Sequence, residues 1–106
     1  MATAITVLYP NVEDAHFDLD YYLTRHMPLV AERFAAHGLK GWRVARLIGT
    51  PGGATSPHSI VATLEFDHAD QFRAAIAAEG TAVLGDVPNF SNKDPVIMIG
   101  EVVGQA

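Results

Sequence analysis

Four short runs of β-branched and aromatic residues constrain this chain most: AITVLY at 4–9, GWRVARLIG at 41–49, SIVATLEF at 59–66 and VIMIGEVV at 96–103. Such residues suit the pleated, half-buried surface of a strand. Stretches with helical spacing separate the first run from the second and the third from the fourth. The resulting order is β-α-β-β-α-β, which predicts an α+β, ferredoxin-like fold with a four-stranded antiparallel sheet. At 106 residues the chain is expected to form one domain, residues 1–106.

The strands carry a second message. A sheet with one wet face alternates apolar and polar residues. Here Ile5, Val7 and Tyr9 share one face while Leu8 lies on the other, and Ile60, Ala62 and Leu64 stand against Val61. In the last run Val96, Met98 and Val102 oppose Ile97, Ile99 and Val103. Both faces therefore read as buried, yet two helices cover only one. A second copy of the chain is the simplest cover for the other.

Asp18 is placed to cap the first helix, with Phe17 and Tyr22 forming a hydrophobic staple. The helical pattern runs to His37 and ends at Gly38. Pro28 interrupts it; its ring meets the Thr24 carbonyl, so a kink or break is expected there. Asp67 is expected to cap a second helix over 68–79, with Ala69, Phe72, Ala75, Ile76 and Val83 on its apolar side. Gly80 and Gly85 weaken the stretch beyond residue 79, and PGGATSPH and DVPNFSNKDP read as loops.

Composition excludes several roles. The net charge of −5 and pI of about 5.3 disfavour nucleic acid and anionic membranes as partners. There is no cysteine, so no thiol nucleophile or thiolate metal site exists, which accords with a cytoplasmic setting. No signal peptide and no membrane-spanning run is seen. The five histidines show no i, i+4 pair and no metal-binding motif, and no glycine loop leads from a strand into a helix. No metal and no cofactor is therefore expected.

The segment FDLDYYLTRHMPLV at 17–30 carries the chemistry. At helical spacing Leu19, Tyr22, Leu23, His26, Met27, Val30 and Phe34 form one stripe, with His26 near its centre. An imidazole there is either a hydrogen-bonded core residue or a group facing a cavity. A kink at Pro28 would open the helix–sheet contact beside it, and imidazole exchanges protons near neutral pH. His26 is the candidate general acid or base, with Tyr22 as its orienting or donating partner. His58, at the head of the third strand, and Asn89 are candidate substrate contacts, as are Phe34 and Phe90. Asp86 reads as a local cap or pair, Trp42 and Tyr9 as core or interface aromatics, and Arg43 and Arg46 as surface residues.

The blocks VLYPN at 7–11, FDLDYYLTRHMPLV, DVPNF at 86–90 and PVIMIGEV at 95–102 resemble the EthD family of the dimeric α+β barrel superfamily. The chain departs from relatives at Met98-Ile99-Gly100, where many carry Gln-Ile-Ser. The resemblance implies a homodimer that pairs through the open sheet face, with a pocket between helices and sheet in each protomer. The wider superfamily contains cofactor-independent monooxygenases, polyketide cyclases, lactone isomerases and haem-binding enzymes. The expected activity is that of a small cofactor-independent enzyme acting on an apolar aromatic, polyketide-like or lactone substrate by isomerisation, cyclisation or decarboxylation. The alternatives are a monooxygenase-like oxidoreductase and a non-catalytic ligand-binding accessory protein of a degradation pathway.

Overall fold

The computed structural model describes residues 2–106. Strands β1 (Thr3–Pro10), β2 (Gly41–Arg46), β3 (His58–Phe66) and β4 (Val96–Glu101) form one antiparallel sheet in the order β2-β3-β1-β4. β1 lies in the centre, with Ile5 opposite Leu64 of β3 and Ile99 of β4. Two helical segments pack on one face, giving the ferredoxin-like α+β protomer.

The first helix begins at Leu19, with Asp18 accepting from the Tyr21 main-chain N–H at 3.0 Å. The staple forms as T-shaped contact between the Phe17 and Tyr22 rings, 5.0 Å between centroids. Pro28 does not break the helix. The chain runs from Leu19–Tyr21 into a π-helical turn at Tyr22–His26 and then into Met27–Ala35. The turn is closed by the Met27 N–H donating to the Tyr22 carbonyl, five residues back. The helix widens just before the proline, and Pro28 then lies at the start of the α-helical stretch, where a missing N–H costs little. The stretch ends at Ala35, two residues early, and Gly38 turns the chain at φ +95°.

The second helix is continuous over Ala69–Gly85, past both glycines. Its cap is His68 rather than Asp67: the Gln71 side-chain oxygen accepts from the main-chain N–H of both, each at 3.0 Å. Asp67 instead pairs with Lys40 at 3.0 Å. β2 and β4 are also shorter than their apolar runs, because the tails beyond Arg46 and Glu101 leave the ladder.

The core lies between the helices and the central strands, around Ile5, Tyr9, Tyr22, Phe34, Leu64, Phe66 and Phe72. β4 is different. Ile97 and Ile99 lie on the helix-covered face and Val96 and Met98 on the other, but all four are exposed in the protomer. Among the described residues no helix is long and apolar enough to cross a membrane.

Candidate functional site

The π turn and the loop after the second helix build the site together. Within a π turn, Tyr22 and His26 lie nearly above one another, and their rings stack at 5.2 Å with 16° between planes. Both are buried. The second helix ends at Asp86, and Val87–Asn89 forms a 3-10 turn. That turn is stitched to the chain ahead of the first helix: the Asp18 N–H donates to the Phe90 carbonyl at 2.8 Å, and the His16 N–H donates to the Asn92 side chain at 2.7 Å. The stitching brings Asp86 to the imidazole across 60 positions of sequence.

The partner of His26 is therefore Asp86, and not the Tyr22 phenol. Nδ1 of His26 lies 2.9 Å from Oδ2 of Asp86. Oδ1 of the same carboxylate accepts from the Tyr21 hydroxyl at 2.7 Å and from the Asn89 side-chain amide at 2.9 Å. Burial works to raise the Asp86 carboxyl, but the bonds from Asn89, His26 and Tyr21 outweigh it and hold the group below the usual carboxylate range. Burial lowers the His26 imidazole, only partly opposed by Asp86. At neutral pH the pair is thus an ionised carboxylate and a neutral imidazole. An ionised carboxylate only accepts, so Nδ1 carries the proton and Nε2 keeps its lone pair.

Nε2 makes no hydrogen bond to protein, yet among the described residues no fully buried side-chain nitrogen or oxygen lacks a partner. Nε2 is therefore not fully buried, and His26 is among the residues that line a partly open cavity between helices and sheet. The space open to the centre of a water-sized sphere is about 40 Å³, enough for a few water-sized groups. Its polar lining is His26, Tyr9 and Tyr22; the rest is apolar, including Met27, Val30 and Phe34. Burial pushes the Tyr22 phenol up to about 12 and raises that of Tyr9 further. Both stay protonated as hydroxyl donors. Leu84, Val87, Pro95 and Ile97 line the cavity and also border a surface groove of about 450 Å³, so they form the wall between cavity and solvent.

The residues singled out in the sequence divide accordingly. His26, Tyr22 and Phe34 meet at the cavity. Phe90 packs on the imidazole at 4.5 Å between centroids but is enclosed by aromatic rings rather than lining the cavity. Asn89 is turned toward Asp86, and does not line the cavity. His58 lies opposite Pro10 at the start of β3, away from the cavity lining. Arg43 and Arg46 are exposed, as is Trp42 in part, while Tyr9 lines the cavity. Sequence reasoning missed Asp86 and Tyr21 as partners of the histidine. The one signal was that Asp86 opens the DVPNF block, which carried the family resemblance.

The sequence matches the EthD domain family over residues 10–94. An EthD-like protein from Ralstonia eutropha JMP134 is 34% identical, with 99% of this chain and 95% of that one aligned and a TM-score of 0.89. An ethyl tert-butyl ether D (EthD) family protein from Bacillus halodurans C-125 is 27% identical over 97% of this chain and 100% of that one, with a TM-score of 0.76. SnoaB from Streptomyces nogalater, a cofactor-independent oxygenase, is 15% identical over 98% and 94% of the two chains, with a TM-score of 0.67; at that identity the likeness shows the fold alone. A search of curated protein sequences finds no match. The chain belongs to the EthD family of ferredoxin-like α+β proteins.

Proposed function

We propose that this protein is a small enzyme that needs no bound cofactor and moves protons on an apolar substrate, with Nε2 of His26 as the base. The observation that carries the reading is the Asp86-paired imidazole of His26, which lines an apolar cavity and keeps Nε2 unbonded. Such a base takes a proton from an activated C–H or O–H of a substrate carbonyl or phenol. The conjugate anion that forms is stabilised by a hydroxyl of Tyr22 or Tyr9. The imidazolium, held by Asp86, then returns the proton at another position. Isomerisation and cyclisation fit this sequence. No aspartate, glutamate, lysine or arginine lines the cavity, and His26 is neutral there, which favours an uncharged, aromatic, polyketide-like or lactone substrate. The narrow cavity admits it by displacing the wall at Leu84 and Ile97, both already exposed.

A second reading has support in the same chemistry. A carbanion formed by His26 in an apolar cavity is a substrate for molecular oxygen, and SnoaB, of the same fold, is a cofactor-independent oxygenase. We further propose a homodimer through the helix-free sheet face, where Leu8, Val61, Val96 and Met98 lie by register, with the last two about half exposed. A non-catalytic carrier would keep ligand binding when His26 is replaced.

The test uses a nitrobenzisoxazole, whose ring opens when a base removes one carbon-bound proton and the N–O bond breaks to a coloured phenolate. The parent is expected to show saturable opening that is lost in His26→Gln. Equal rates in parent and variant would sink the proposal.

A further inference from the structure

We infer that Tyr21 and Asn89 are positioning residues: by holding one oxygen of Asp86 they aim the other at Nδ1 of His26 and so set how the carboxylate meets the imidazole. The inference rests on the reading of His26 as the base, since it explains how that base is presented, but its test does not require turnover.

A carboxylate has two equivalent oxygens, and nothing in Asp86 itself decides which one meets the imidazole. The surroundings do. The Tyr21 hydroxyl and the Asn89 amide converge on Oδ1 at 2.7 and 2.9 Å, and Oδ2 alone reaches Nδ1 of His26 at 2.9 Å. Both donors are themselves held. Tyr21 stacks on Phe90 at 6.2 Å with 23° between planes, and Phe90 packs on His26. Asn89 is bound into a turn by its main-chain N–H donating to the Asp86 carbonyl at 3.0 Å. The three side chains around the carboxylate thus come from the residue before the π turn, from the π turn itself and from the 3-10 turn. A lone imidazole exchanges readily between its two neutral tautomers, and the hydrogen bond made by one nitrogen selects between them.

The experiment is a nitrogen–proton correlation spectrum of the imidazole rings in the full-length, isotope-labelled protein, above the His26 titration. The parent is expected to show His26 protonated at Nδ1 and bare at Nε2. In Asp86→Asn, the two donors keep the amide oxygen where Oδ1 was, so the amide NH₂ turns to Nδ1 and the proton moves to Nε2. Adding Tyr21→Phe and Asn89→Ala to that variant frees the amide to turn, and the Nδ1–H form returns. A parent ring protonated at Nε2, or Asp86→Asn that keeps Nδ1–H as the main form, overturns the inference. Should Asp86→Asn fail to fold, Tyr21→Phe with Asn89→Ala in the parent supplies the second measurement. Stripped of two donors, the carboxylate interacts more strongly with the imidazolium, and the His26 titration midpoint moves up; an unmoved midpoint overturns the inference. A parent protonated at Nδ1 that does not open the nitrobenzisoxazole would instead count against the catalytic reading alone.

Discussion

Replacing Phe90 by alanine tests whether that ring, read from the sequence as a substrate contact, serves instead to pack the core beside His26. Phe90 is 1% exposed. Its centroid lies 4.5 Å from His26, 4.9 Å from Tyr22, 5.3 Å from Phe17 and 5.7 Å from Tyr9. It does not line the cavity, so truncation leaves a new void among rings that are locked in place by stitched backbone. Deleting a buried phenylalanine costs about 3–5 kcal/mol when the surroundings do not collapse. Tilted ring pairs are worth roughly 0.5–1.5 kcal/mol beyond their area, which puts this site in the upper part of that span. The assay is urea unfolding followed by circular dichroism, parent and variant at equal protomer concentration, because association shifts apparent stability. The expected result is a loss of at least about 3 kcal/mol with an unchanged denaturant slope. A loss below about 1 kcal/mol would refute the packing argument, because a wall residue facing an open pocket gives up little when truncated.

Stability should also fall on the acid side. The folded His26 imidazole titrates below its unfolded value, so the unfolded chain takes up that proton first and stability drops as pH falls through the reference value of about 6.5. Asp86, held below its unfolded value, contributes stability that is present above about pH 3.9 and lost as pH falls further. His26→Gln should flatten the upper part of the profile in urea unfolding between about pH 7.5 and 5.5; an identical slope would count against it. Gly38→Ala should destabilise by about 1–2 kcal/mol, since it forces a side chain onto φ +95° and sets a Cβ 2.6 Å from the Gln71 amide that caps the second helix. A thermal midpoint within a degree or two of the parent would contradict this. Leu8→Lys, on the helix-free sheet face, should convert a dimer to a monomer in sedimentation, and a parent already monomeric at micromolar concentration would dispose of the proposed interface.

The architecture was legible in the sequence because strand and helix preferences act over a few residues. The four apolar runs, the Asp18 cap, the Phe17–Tyr22 staple and the Gly38 turn all lie where local spacing puts them. The stripe through Tyr22, His26, Met27, Val30 and Phe34 likewise faces the interior, because helical periodicity sets a face without knowing what covers it; Leu23, read as part of it, is exposed instead. Local rules erred where the outcome depended on neighbours. Ring sterics at Pro28 predict a kink or a break; the chain does not break there but passes through a π turn at Tyr22–His26 just before the proline. The second helix runs through Gly80, because burial against the core outweighs the propensity of one residue.

What the sequence by itself determined, then, is a ferredoxin-like protomer with an imidazole in its apolar face. Tertiary structure alone decided which group that imidazole meets. Asp86 is 60 positions away and reaches His26 only because loop 86–92 is bonded to the segment ahead of the first helix. Such a pairing leaves no periodicity to read. It arises from closing a long loop, and the hydrogen bonds that close it exist only once the core has brought both ends together.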